Sequence, residues 1–120
     1  MIQVFGTSKC KQTRAALRFF ADRRIKVQSV ELREKGLSKG ELASVARAVG
    51  GARALYDEDS PRVKERGLQH SGPSDERLME LLVSDPLLLR TPIVRNGSQA
   101  AVGNAELMWK AFADSEKSAK

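Results

Sequence analysis

A short apolar run, Ile2 to Phe5, breaks at Gly6, and an amphipathic stretch follows from Lys11 to about Arg24. A second apolar series, Ile25, Val27, Val30 and Leu32, comes almost at once. No other part of the chain narrows the fold as much. Strand, helix and strand joined by links of a few residues form a βαβ unit, whose two strands run parallel with the helix crossing one face. Ala16, Leu17 and Phe20 share one side of the helix, with Arg14, Arg18 and Asp22 largely elsewhere. The series suggests a second strand, though its alternation slips by one residue.

Beyond this unit the punctuation is that of short helices. Ser38-Lys39-Gly40-Glu41 is a capping box, in which the serine accepts an amide of the first turn and the glutamate reaches back. Leu42, Val45, Ala46 and Val49 follow at helical spacing, and Gly50-Gly51 stops the helix. A helical turn is expected over Ala52 to Tyr56. Asp59-Ser60-Pro61 then opens a helix that ends at Gly67. Ser71-Gly72-Pro73-Ser74 breaks the chain before an amphipathic helix over Asp75 to Ser84, stopped by Asp85-Pro86. Thr91 to Arg95 reads as a strand opened by proline, Asn96-Gly97 as a hairpin turn, and Gln99 to Val102 as the antiparallel return. Asn104 is expected to cap a last helix carrying Leu107 or Met108, Trp109 and Phe112. A polar tail is expected over 114–120. The reading is one domain over 1–113, with a helical insert at about 36–86.

The chemistry-bearing residue is Cys10, the chain's single cysteine, set where the first strand gives way to the helix. The first amides of a helix lack intrahelical acceptors and carry partial positive charge, which favours a thiolate over a thiol. Lys9, Lys11 and Arg14 lie within a turn of it, and no acid intervenes before Asp22. Two readings stand here: a small buried hydrophobe without chemistry, or a reactive thiolate.

Composition enters as a set of exclusions. One cysteine permits no internal disulfide, so any redox cycle borrows a second thiol from another molecule, and a reducing cytosol is the expected compartment. No apolar run approaches the length of a membrane span, and no cleavable leader pattern is read at Met1. The net charge of +6 is spread among acids, and aromatics make up only 5%, too few for a base-stacking platform. Nucleic acid is therefore disfavoured, while an acidic protein partner stays open. His70 is the one histidine, in a Gly/Ser/Pro loop, so no metal site is expected. Asp57-Glu58-Asp59 reads as a solvated acidic cluster near a helix cap.

Several local sequences carry a family resemblance. Cys10-Lys11-Gln12-Thr13-Arg14, Arg53-Ala54-Leu55, Gly67-Leu68 and Leu87-Leu88-Leu89-Arg90-Thr91-Pro92-Ile93-Val94, in this order of elements, resemble the arsenate reductase (ArsC)/Spx family over about Ile2 to Phe112. The resemblance implies an α/β, thioredoxin-like fold: β-α-β, helical insert, β-β-α, with a mixed four-stranded sheet. It implies that Cys10 is the catalytic cysteine and that Pro92 is a cis-proline facing it. Lys11, Arg14 and Arg90 would stabilise the thiolate or bind an anion, and the backbone of Thr91 and Pro92 would meet the substrate thiol. The chain departs from glutaredoxin-coupled arsenate reductases at three arginine positions, where it carries Asp57, Thr91 and Val102-Gly103. An arginine's value to an oxyanion lies in its bidentate geometry, so these departures disfavour arsenate reduction. It departs from Spx regulators at Thr13, where their CxxC switch has its second cysteine. The expected function is that of a thiol-dependent oxidoreductase acting through Cys10 by mixed-disulfide chemistry, with no bound cofactor. An external thiol such as glutathione, or a redox protein, would be its partner. The alternative is a non-enzymatic Spx-like regulator that binds a protein such as RNA polymerase.

Overall fold

A computed structural model describes residues 1–118. The strands are β1 (Ile2–Gly6), β2 (Val27–Glu31), β3 (Ile93–Asn96) and β4 (Gln99–Val102). The helices are α1 (Lys11–Asp22), α2 (Lys39–Val49), α3 (Pro61–Glu65), α4 (Asp75–Ser84) and α5 (Glu106–Ser118), with 3₁₀ turns at Ala52–Leu55 and Pro86–Leu88. The sheet order is β2-β1-β3-β4, with β1 and β2 parallel and the other two pairings antiparallel. This is the mixed four-stranded, α/β thioredoxin-like arrangement.

Alternation along the strands sends side chains to two cores. Ile2 and Val4 of β1, Val94 of β3 and Ala101 of β4 meet Ala16 and Phe20 of α1 and Trp109 and Phe112 of α5. On the opposite face Phe5, Ile93 and Ala100 meet Leu42 and Val45 of α2, with Leu55, Val63, Leu78, Leu82 and Leu88 of the insert. Burying one such large side chain contributes about 1.5–3 kcal/mol, which is why the helices hold to both faces. The capping box forms: Glu41 N–H donates to Ser38 Oγ (3.1 Å), and Ser38 N–H donates to Glu41 Oε1 (2.9 Å).

The structure differs from the sequence expectations in a few places. Ile25 and Leu32 lie outside β2, and within it Val27 and Val30 pack against opposite cores, which accounts for the slipped alternation. β2 is an edge strand with Gln28 and Ser29 exposed. Asn104 does not occupy the cap of α5; the carbonyl of Ala105 accepts the first helical bond, from Trp109 N–H (2.9 Å). Leu107 and Met108 are exposed, at 87% and 40%, because Trp109, Phe112 and Ala113 already fill the inward side of α5. The expected tail from Asp114 continues as helix to Ser118, through a run free of glycine and proline; residues 119–120 lie outside the described residues. Among the described residues, no helix is long and apolar enough to cross a membrane.

Candidate functional site

The loop Thr7–Cys10 joins the end of β1 to α1, and Cys10 is the helix N-cap, with extended backbone (φ −80°, ψ 119°). Its N–H donates to Thr7 O (3.0 Å), and its carbonyl accepts from Arg14 N–H (3.1 Å). Gly6 is required at the strand end by close approach. A Cβ there would overlap the Thr13 side chain, which is itself 3% exposed.

The loop is fastened by charged side chains. Arg14 Nη1 donates to Ser8 O (2.7 Å) and Arg33 Nη2 to Ser8 Oγ (2.6 Å), while Ser8 N–H donates to Glu31 Oε1 (2.9 Å). Arg33 also grips both oxygens of Glu31, at 3.2 and 3.0 Å. Those bonds, led by the Arg33 contact and then the Ser8 amide, pull the Glu31 carboxyl down to about 2.

Opposite the thiol lies the segment entering β3, whose Thr91–Pro92 peptide bond is cis. Thr91 Oγ1 donates to Cys10 Sγ (3.1 Å), and the thiol donates to Thr91 O (3.8 Å). Burial alone would raise the Cys10 pKa. The hydroxyls of Thr13 and Thr91 and the amides of Thr13 and Gln12 outweigh it, so the net shift is downward. Both amides belong to the first turn of α1, where a helix start favours the ionised form. The Thr13 hydroxyl is buried and without an oxygen or nitrogen partner among the described residues, free to serve a thiolate. The cysteine itself is half-buried and unpaired.

The site residues expected from the sequence are thus distributed unevenly. Cys10, Thr91 and Pro92 come together. Arg14 stands one helical turn from Cys10, but its guanidinium is turned to Ser8 O. Lys11 opens α1 and is exposed. Arg90 Nε donates to Tyr56 O (3.2 Å), which ties the insert to the strand entry, where Tyr56 and Leu89 form an isolated bridge. None of the three cations is among the causes of the thiol's shift. Sequence reasoning did not find the Thr13 and Thr91 hydroxyls or the Glu31–Arg33 brace; only the proximity of Thr13 to Cys10 in sequence pointed that way.

A cleft of about 320 Å³ is lined in part by Thr91, whose hydroxyl meets the sulfur, while Cys10 itself is not among its lining residues. Thr7 joins Thr91 in the lining, Leu32, Leu87 and Leu89 supply its apolar part, and Arg33, Asp57, Arg62 and Glu65 its charged part. Among the described residues, no group of three or more His, Cys, Asp or Glu is placed to hold a metal.

Comparison with known proteins bears on the same region. Residues 5–112 match the model of the ArsC family. An arsenate reductase of Neisseria meningitidis is 29% identical over 104 residues, 85% of this chain and 89% of its own length. The structure of an arsenate reductase from Vibrio cholerae superposes with a TM-score of 0.79 at 25% identity, covering 92% of this chain and 96% of that one. A Staphylococcus aureus protein, SACOL0876, has the same fold at 20% identity and TM-score 0.76, over 92% of this chain and 97% of that one.

Proposed function

The chain belongs to the ArsC family, and from that premise we propose that it is a monothiol oxidoreductase working through Cys10. The observation that carries this reading is the placement of Cys10 Sγ at the start of α1 with the Thr91 hydroxyl 3.1 Å away, in an environment that lowers its pKa. A thiolate with a donor already aimed at it is suited to nucleophilic attack.

The cycle is thiol–disulfide exchange. The Cys10 thiolate attacks one sulfur of an oxidised substrate, the substrate S–S bond breaks, and its other half leaves as a thiolate that takes a proton from water. A second molecule, glutathione or a redox protein thiol, attacks the substrate sulfur of the mixed disulfide and releases Cys10 as the thiolate. The retained substrate half leaves as a disulfide with that external thiol, and a second external thiol cleaves it. Two external thiols thus become one disulfide and supply the two electrons the substrate takes up, with no bound cofactor in the cycle. The Thr91 and Thr13 hydroxyls would hold the charge on Cys10 before attack and on its release.

Arsenate fits this cleft less well. Its arginines are engaged, Arg33 by Glu31 and Ser8, and Arg62 by Asp85 and Glu65, and Asp57 adds a carboxylate. An oxyanion needs free bidentate donors.

The test is intact mass after incubation with oxidised glutathione. A single glutathione adduct on the parent and none on Cys10→Ser is the expected outcome, with the adduct removed by added thiol. An unmodified parent chain would instead leave the partner-binding, Spx-like role as the reading to pursue.

A further inference from the structure

We propose that the cleft lined by Thr91, the residue that meets the Cys10 sulfur, selects sulfur substrates bearing a primary ammonium group, and that Asp57 is the residue that selects them. The inference rests on the reading of Cys10 as a nucleophile and names the substrate class for that same site.

At about 320 Å³ the cleft lies at the small end of ligand-sized sites. Four ionisable side chains reach it, and three of them already have a counter-charge. Arg33 is paired with Glu31 at 3.0 Å, Arg62 with Asp85 at 2.7 Å, and Glu65 with Arg62 at 3.5 Å. The Asp57 carboxylate has neither an ion-pair partner nor a side-chain hydrogen bond among the described residues. Its main chain is pinned, with its N–H donating to Leu88 O (3.0 Å) and its carbonyl accepting from Ser60 N–H (3.1 Å). Asp57 is half-buried, whereas its neighbours Glu58 and Asp59 are exposed, so its charge is less screened than theirs. The unbalanced charge that a substrate meets in the cleft is therefore negative.

The chain as a whole predicts the opposite preference. Its net charge is +6, and Lys9, Lys11 and Arg14 lie close to Cys10 in sequence. None of these three lines the cleft, and Arg14 is committed to Ser8 O. A preference for cations would thus come from one local group against the overall field, and the sign of the effect identifies its source.

The experiment uses three symmetric disulfides: cystamine with two ammonium groups, bis(2-hydroxyethyl) disulfide with no charge, and 3,3′-dithiodipropionate with two carboxylates. In each case the Cys10 thiolate attacks one sulfur, the reagent's S–S bond breaks, and the other half departs with the electron pair as a thiolate. Adduct formation is followed by intact mass at neutral pH and low salt. Each rate is divided by the rate with the uncharged thiol N-acetylcysteinamide, which removes the reagent's intrinsic reactivity. Cystamine is expected to be the most favoured of the three. Asp57→Asn should cut the cystamine-to-neutral ratio about two- to fivefold, the size of one partly screened charge pair. Glu58→Gln, the same charge change outside the cleft, should leave the ratio in place. A ratio unmoved by Asp57→Asn, or moved equally by Glu58→Gln, overturns the inference while adduct formation itself upholds the role of Cys10. An absence of adduct with all three reagents removes the Cys10 reading and this one with it.

Discussion

Replacing Asp85 by alanine should cost the fold about 2 kcal/mol. The carboxylate is 8% exposed and accepts from Arg62 Nε at 2.7 Å, Arg66 Nη1 at 3.2 Å and Leu87 N–H at 3.3 Å. The last of these caps the 3₁₀ turn Pro86–Leu88, and losing a cap costs about 1 kcal/mol. The two guanidinium groups are 39% and 34% exposed and return to water when the partner goes. Each pair therefore contributes only about 0.5–1 kcal/mol. Alanine also relieves the cost of keeping a carboxylate out of water, which holds the sum near the lower end. Asp85→Asn keeps an acceptor for Leu87 and should lose about half as much, roughly 1 kcal/mol. Urea unfolding followed by far-ultraviolet circular dichroism measures both, with unchanged slope required for a fair comparison. An Asp85→Ala protein as stable as the parent would refute the reasoning, since desolvation would then cancel cap and pairs together. A double-mutant cycle with Arg62→Ala should return a coupling of about 0.5–1 kcal/mol.

Two further outcomes follow from the site. Thr91→Val and Thr13→Val should each raise the Cys10 pKa, because each removes a hydroxyl that favours the thiolate; the rate of iodoacetamide alkylation against pH reads this directly, and an unmoved inflection in both would deny the hydroxyls their role. The sign for Glu31 runs the other way along the pH scale: its carboxyl, ordinarily near 4.5, is held at about 2, so its contribution to stability is complete above 4.5 and is lost as pH falls toward 2. Glu31→Gln should flatten the loss of unfolding free energy across that window, and an acid limb identical to the parent's would show that the Arg33 and Ser8 contacts do not survive in solution.

What could be read in advance was whatever depends on near neighbours in sequence. The strand–helix–strand opening, the Ser38–Glu41 capping box and the Asn96-Gly97 hairpin are local signals, and each is where the pattern placed it. Cys10 at a helix start was legible for the same reason. Direction was not. Arg14 stands one turn from the sulfur, yet a long side chain can turn either way, and it chose the Ser8 carbonyl. The donor that does meet the sulfur, the Thr91 hydroxyl, lies 81 residues away in sequence, and only the packing of β3 beside β1 brings it there. Leu107 or Met108 looked like a companion of Trp109 and Phe112 on the last helix, yet both are exposed. Trp109 and Phe112 occupied the inward face of α5 first. Asp57 seemed an ordinary solvated acid, since nothing in a linear pattern says that its neighbours in space are already paired.

Thr13 packs against Gly6, and the chain's one cysteine, Cys10, has no second sulfur to pair with. A protein with two such sulfurs can close a ring on itself and keep its oxidised form as a private, concentration-independent state. This chain has no such store. Any disulfide it makes is shared with another molecule, so how much of it is oxidised at a given moment is a census of the thiols around it.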